Sequence, residues 1–223
     1  MESGLELYVK NALFAGIKED DLIPLLYCLK AQKHSYPKGT ILFSEGEPVK
    51  YLVIIISGRI DLVYDDVLGH HSIIETMEPG KLFCDAFACS TDNRTPVRVL
   101  AQEDSQVLLI DIELVLHTCS NSCKQHHKLE ENLLHILADK YIHLSRKMLH
   151  ISEKTTHAKL LSYLSERMRL TDDEPFSIPF NRQELADYLF VDRTGLSKEW
   201  NDLKRMGILE TRGDLFYLNI DKL

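Results

Sequence analysis

The sequence predicts an α+β chain: a double-stranded β-helix or jelly roll first, then one long helix, then a winged helix-turn-helix. Three observations carry that prediction. The apolar residues follow a helical period to about residue 30, a strand period from about 38 to 112, and a helical period again from about 113. Residues 127–152 contain no glycine or proline, so one helix can run through them. Residues 181–220 hold two capped helix patterns followed by a hairpin pattern.

In residues 1–30, Leu22, Leu25, Leu26 and Leu29 share one face of a helix. The pattern then shortens. TILF (40–43), YLVIII (51–56), RIDLVY (59–64), HSIIETM (71–77), PVRVLA (96–101) and QVLLIDI (106–112) are strand-length and rich in Val, Ile and Leu. Glycines at 39, 46, 58, 69 and 80 punctuate them. Short strands in succession, mostly without intervening helices, predict a closed antiparallel architecture, because closure removes exposed sheet edges.

The long helix carries Leu129, Leu133, Leu137, Tyr141, Leu144, Met148 and Ile151 at 4-4-4-3-4-3 spacing, beside a second stripe of Leu134, Ala138, Ile142 and Leu149. One stripe suffices for packing on the barrel. Two stripes predict a second buried face against a twin helix, with Leu133, Leu137, Tyr141, Leu144 and Met148 in a homodimer interface. SEKTTH (152–157) is polar and β-branched and predicts a hinge. Leu160, Leu161, Leu164 and Met168 then mark another amphipathic helix, and a short strand is expected at 177–180. The expected domains are 1–125, a linking and dimerising helix at 126–152, and 153–223.

In the last segment, Asn181 and Glu184 have the spacing of a capping box, and Leu185, Tyr188 and Leu189 give the following helix its apolar face. Ala186 is small enough for a second helix to cross closely. The break falls at Phe190-Val191, Asp192 caps the next helix, and Gly207 ends it. That helix, Arg193 to about Arg205, places Leu196, Trp200, Leu203 and Met206 inward and Arg193, Thr194, Ser197, Lys198 and Asn201 outward. ILETRGDLFYLNI (208–220) reads as strand, turn and strand, a wing. Arg can donate two bonds to guanine, and Lys and Ser can reach base edges or phosphates, so the outer face suits a recognition helix. Arg182 and Gln183, opening the preceding helix, join the expected DNA-contacting set.

The net charge is −8, and residues 181–223 carry seven Lys/Arg against eight Asp/Glu. Affinity must therefore come from a few cations, namely Arg193, Lys198, Lys204 and Arg205, doubled by dimerisation on a two-fold-related, salt-sensitive site. No apolar run is long enough to span a membrane. The opening MESGLELYVK lacks the marks of a signal peptide. Five cysteines in no regular framework fit a reduced, cytoplasmic protein.

Over nearly its whole length the chain resembles the Crp/Fnr family of bacterial regulators. The resemblance rests on GEPVKYLVIIISGRI (46–60), PGKLF (79–83) and above all IPFNRQELADYLFVDRTGLSKE (178–199). It implies a non-enzymatic, homodimeric transcriptional regulator with a cyclic-nucleotide-binding-like sensor domain, double-stranded DNA and RNA polymerase as partners, and a small effector. The family's R-E-x-x-x-R readout falls on Arg193, Thr194 and Lys198, so the usual operator sequence does not carry over. Phe190 stands where such turns often have glycine, and Glu199 where an apolar residue is usual.

The family's phosphate-binding pairs, Gly-Glu and Arg-Ser/Thr, align with Cys84-Asp85 and Thr95-Pro96, which disfavours a cyclic nucleotide because the cation is missing. Tyr64, Cys84, Asp85, Arg94, Thr95 and Arg98 are the candidate effector contacts, and the effector is unidentified. Cys28, Cys84, Cys89, Cys119 and Cys123 are too scattered for an iron–sulfur cluster. Cys119, Cys123, His126 and His127 form a weak candidate metal or haem set, whence the alternative of a redox- or gas-sensing regulator. A cupin-like enzyme ranks lower, since His70 and His71 flank a glycine turn and no H-x-H set appears.

Overall fold

A computed structural model describes residues 5–65, 71–117, 124–171, 175–219 and 222. Residues 5–28 form helical pieces: α1 (Leu5–Lys10), a 3-10 turn (Ala12–Phe14) and α2 (Glu19–Cys28). Asn11 causes the first break, its side chain accepting from the Leu13 N–H at 2.9 Å and donating to the Gly80 carbonyl at 2.8 Å. Leu22, Leu25, Leu26 and Leu29 are buried together, as their spacing predicts.

Eight strands follow: β1 (Gln32–Tyr36), β2 (Ile41–Phe43), β3 (Tyr51–Ser57), β4 (Ile60–Asp65), β5 (His71–Met77), β6 (Leu82–Phe83), β7 (Arg98–Ala101) and β8 (Ser105–Asp111). They pair antiparallel in two sheets, β1-β8-β3-β6 and β2-β7-β4-β5. Short helices α3 (Asp85–Cys89) and α4 (Ile112–Leu116) pack on β3 and β8. Strands covered on both faces read as continuous apolar runs, which is why Leu52, Val53, Ile54 and Ile55 are all buried. Gly58, at φ +85°, lets the β3–β4 turn meet the β7–β8 loop, for a Cβ there would lie 2.6 Å from the Asp104 carbonyl.

Two of these strands lie outside the expected set, and a third is shorter than its run. QKHSY forms β1 although it lacks apolar alternation, because β1 is a sheet-edge strand whose side chains stay largely exposed. β6 spans only two residues, too few for any period to show. Within PVRVLA only Arg98–Ala101 is strand: Pro96 has no N–H for the ladder, and the Thr95 hydroxyl donates forward to the Val97 carbonyl at 2.7 Å.

The long helix α5 runs from Lys124 to Ile151. Its first turns belong to the N-terminal core, where Leu129 and Leu133 are buried and Ile136 and Leu137 pack at the margin. Asn132 fixes this packing by donating to the carbonyls of Leu13 and Ala15, both at 2.9 Å. Leu133 is therefore not an interface residue: at 3% exposure it is already consumed by its own domain. Leu137 is only half available. Tyr141, Leu144 and Met148 are 72%, 58% and 54% exposed, and Leu134, Ile142 and Leu149 are exposed with them.

Contacts divide the chain into two compact units, Met1–Asp139 and Lys140–Leu223. In the second, α6 (Thr156–Leu170) begins earlier than expected, capped by Thr155, whose hydroxyl accepts from the Ala158 N–H at 3.1 Å. The expected hinge thus shrinks to 152–155. β9 (Phe176–Ser177), α7 (Arg182–Tyr188), α8 (Arg193–Arg205), β10 (Leu209–Arg212) and β11 (Leu215–Leu218) complete the unit, with sheet order β10-β11-β9. β9 starts one residue before the expected strand and stops before Pro179, whose ring removes a donor and biases the chain out of the ladder. Trp200, Leu160, Leu164, Leu185, Leu196 and Leu203 form the core.

Candidate nucleic-acid interface

The two helices of the motif are built from local bonds. The capping box is present: the Asn181 side chain accepts from the N–H groups of Gln183 and Glu184, and Glu184 accepts from the Asn181 N–H at 2.7 Å. At the end of α7 the Val191 N–H reaches back to Ala186 and the Phe190 N–H to Asp187, a Schellman closure. This places Phe190 at φ +52°, a left-handed conformation costing a non-glycine residue about 1–2 kcal/mol. α8 closes in the same way, Ile208 to Leu203 and Gly207 to Lys204, with glycine at φ +70°. Ala186 is fully buried, as close helix crossing requires.

Asp192 caps α8 through its carboxylate, which accepts from the Gly195 N–H at 2.8 Å. Arg193, Thr194, Lys198 and Asn201 are exposed and Ser197 half-buried along one outer face; Lys204 and Arg205 extend it. Arg193, Lys198 and Lys204 have no ion-pair partner among the described residues, whereas Arg205 is paired with Asp202 at 2.8 Å. Bare cations and amides at the first turns of an exposed helix can donate to phosphates and base edges. β10 and β11 form the wing, joined by Gly213 and Asp214, with only the glycine at positive φ, the pattern of a type II′ hairpin.

Two expected members behave differently. Arg182 lies over the Trp200 ring, 3.1 Å from its centroid, and burial pulls its guanidinium pKa down to about 10, so it also packs on the core. Gln183 is exposed and donates to Asp187 at 2.9 Å. Met206 does not face inward: it is the C-cap of α8, where the chain turns at Gly207, and its side chain is exposed. Glu199 has a partner instead of an apolar niche, accepting from His157 Nδ1 at 3.0 Å.

In the N-terminal unit the candidate effector residues are mostly engaged internally. Thr95 is fully buried, and its backbone and hydroxyl bond Gly46, Glu47 and Val97. Arg94 is exposed and donates to the Gly46 carbonyl. Cys84 (φ +61°) and Asp85 are buried at the start of α3. Tyr64 is exposed on β4, opposite Ser72. Arg98, across β7–β4 from Val63, reaches Asp65 at 3.1 Å, while its Nε is buried without a hydrogen-bond partner among the described residues. Asp65 also accepts from His71, a residue absent from the expected set. None of the six lines the open cavity of about 360 Å³ bounded by Ser35, Tyr36, Ser57, Asp104 and Gln106.

Cys119 and Cys123 lie outside the described residues, as does His70. Their companions do not converge: His126 is buried with Nε2 3.0 Å from the Leu114 carbonyl, and His127 is exposed beside Glu130. No group of three metal-ligating side chains forms among the described residues, and no helix among them is long and apolar enough to cross a membrane.

Residues 33–122 match the cyclic nucleotide-binding domain and residues 158–223 the Crp-like helix-turn-helix domain. The anaerobic regulatory protein of Pasteurella multocida is 23% identical over 193 residues, covering 84% of this chain and 68% of that protein. The fold is shared with the catabolite activator protein of Thermus thermophilus, at TM-score 0.51 and 19% identity over 94% of each chain. A transcriptional regulator of Thermotoga maritima aligns at TM-score 0.51 and 24% identity, over 60% of this chain and 99% of that one. A sensor-type β domain followed in one chain by a Crp-like DNA-binding domain places this protein in the Crp/Fnr family of transcriptional regulators.

Proposed function

We propose that the protein acts in the cytoplasm as a homodimer, each copy reading half of a two-fold-related DNA site with Arg193, Thr194, Ser197, Lys198 and Asn201, under control of a small effector in the β domain. The observation that carries this is the outer face of α8, where Arg193 and Lys198 are exposed without an ion-pair partner among the described residues. The exposed apolar stripe of Tyr141, Leu144, Met148 and Leu149 supports pairing of two copies through α5. Paired recognition helices must stand about 34 Å apart to enter successive major grooves, so a shift at the hinge 152–155 would switch binding. RNA polymerase is the partner on the promoter.

For the input, Arg98 is the anchor: its buried Nε, without a partner among the described residues, supports an effector with an anionic or carbonyl oxygen. Thr95 and Arg94 serve the loop around Gly46 instead. The name of the Pasteurella relative favours a second reading in which the signal is redox or oxygen through haem or a metal. A visible spectrum and elemental analysis of untagged protein check it, and the absence of both haem and metal removes it.

The main reading is tested by recovering genomic fragments on the purified full chain. Enriched fragments sharing a two-fold motif, with affinity falling steeply between low and physiological salt, are expected. Failure to enrich any fragment at low salt would overturn it.

A further inference from the structure

A cavity of about 120 Å³ lies inside the second unit, bounded by the last turns of α5, by α6 and by the segment leading from Pro179 into α7. Three rings wall it: Phe180 and Tyr188 at 5.0 Å between centroids, Tyr163 and Tyr188 at 5.7 Å, and Tyr163 and Phe180 at 6.2 Å. Arg146 and Arg167 also line it. Arg146 is neutralised, its Nε 3.3 Å from Glu166, whose other oxygen lies 2.7 Å from His150 Nε2. Arg167 is not: it donates from Nε and Nη2 to the Ser177 carbonyl, a neutral partner, and has no ion pair among the described residues.

The Tyr163 hydroxyl is buried and has no hydrogen-bond partner among the described residues. Burial pushes its pKa up to about 12, and it lies near enough to Arg167, Tyr188 and Glu166 to sense their charges. It therefore remains an O–H donor at neutral pH. A buried donor left unsatisfied is costly, and its satisfaction by a ligand is favourable.

We propose that this cavity binds a small aromatic monocarboxylate of about the size of benzoate, its ring packed against the cluster of Tyr163, Phe180 and Tyr188 and its carboxylate accepting from Tyr163 and Arg167. The size follows from volume: drug-sized ligands need roughly 300–1,000 Å³, whereas this partly open cavity of about 120 Å³ is slightly smaller than the roughly 150 Å³ that takes one benzene ring, so it admits no more than a single ring with its carboxylate at the mouth. The charge follows from Arg167, which of the two guanidiniums lining the cavity is the one without a carboxylate partner among the described residues, and Glu166 opposes a dianion. The site is separate from the effector site of the β domain, and binding is read without DNA, so its failure leaves the DNA-binding reading untouched.

The test is calorimetric titration of the full chain with benzoate, benzamide and acetate. Saturable benzoate binding is expected, weaker by about tenfold or more for benzamide, and absent for acetate. Tyr163→Phe keeps the ring and should leave the melting temperature unchanged or higher, since it removes an unsatisfied hydroxyl, while weakening benzoate by about tenfold or more. Arg167→Gln should do the same to benzoate and provides a second variant. Benzoate binding that neither variant weakens, acetate binding as tight as benzoate, or no saturation below about 10 mM would each overturn the proposal.

Discussion

The two halves of α5 use similar leucine spacing for different ends. The first half spends Leu129 and Leu133 on the core of the N-terminal unit and locks itself there through Asn132. The second half leaves Tyr141, Leu144, Met148 and Leu149 facing solvent. The difference teaches that a near-heptad seam names the residues that must be buried but not the surface that buries them. In this helix one half serves folding, and the other is available for assembly.

The sharpest way to break that comparison is to charge the second half. Leu144→Lys with Leu149→Lys is expected to leave a folded monomer by sedimentation and to lower affinity for two-fold-related DNA by about 10²–10⁴-fold, because binding through two linked half-sites is lost. A stable dimer would mean that both halves serve the chain's own fold. Leu133→Ala should instead cost about 2–5 kcal/mol in denaturant unfolding, the range for a buried leucine, with assembly preserved at temperatures where the protein is folded. Loss of the dimer without loss of stability would return Leu133 to the interface.

Arg193→Ala sharpens the comparison from the DNA side. It should cost about 1–3 kcal/mol per half-site and relax specificity at one base pair. On a single half-site the loss should be felt once and on the full site twice, if α5 pairs the copies. Equal losses on all sequences would reduce Arg193 to a phosphate contact. The smallest change expected is a control outside α5. Phe190→Gly relieves the left-handed strain at the end of α7 and should stabilise the protein by about 1 kcal/mol, less what is lost with the Lys147 ammonium, 4.9 Å from the ring centroid. Neither assembly nor benzoate binding should move with it. Thermal unfolding showing destabilisation would mean that Phe190, although 67% exposed, contributes more through contact than its backbone costs.

Much of the DNA-binding motif was legible because its signals are local. The capping box of Asn181 and Glu184, the Asp192 cap and the glycine at 207 act within a turn of where they stand, so the bounds of α8 follow from spacing alone. The same holds for strands β3, β4 and β8, whose apolar runs mark their own burial. β1 was not legible, because an edge strand of polar residues is set by its partner β8, some seventy residues away in sequence. Nor was the stacking of Arg182 on Trp200, which gives an expected DNA-contacting residue a packing partner.

The sequence by itself therefore determined the order of the domains, the two capped helices, the wing, and the outward set Arg193, Thr194, Ser197, Lys198 and Asn201. Each of these depends on bonds or periodicity spanning a few residues. Only the tertiary structure decided that Leu133 belongs to a core, that Thr95 is spent on its own loop, that Arg98 holds Asp65 while keeping one buried donor, and that Phe180 and Tyr188 gather around Tyr163. Those facts depend on residues brought together from distant parts of the chain, where burial and hydrogen-bond satisfaction are properties of the packed neighbourhood and leave no periodic trace in the segments that supply them.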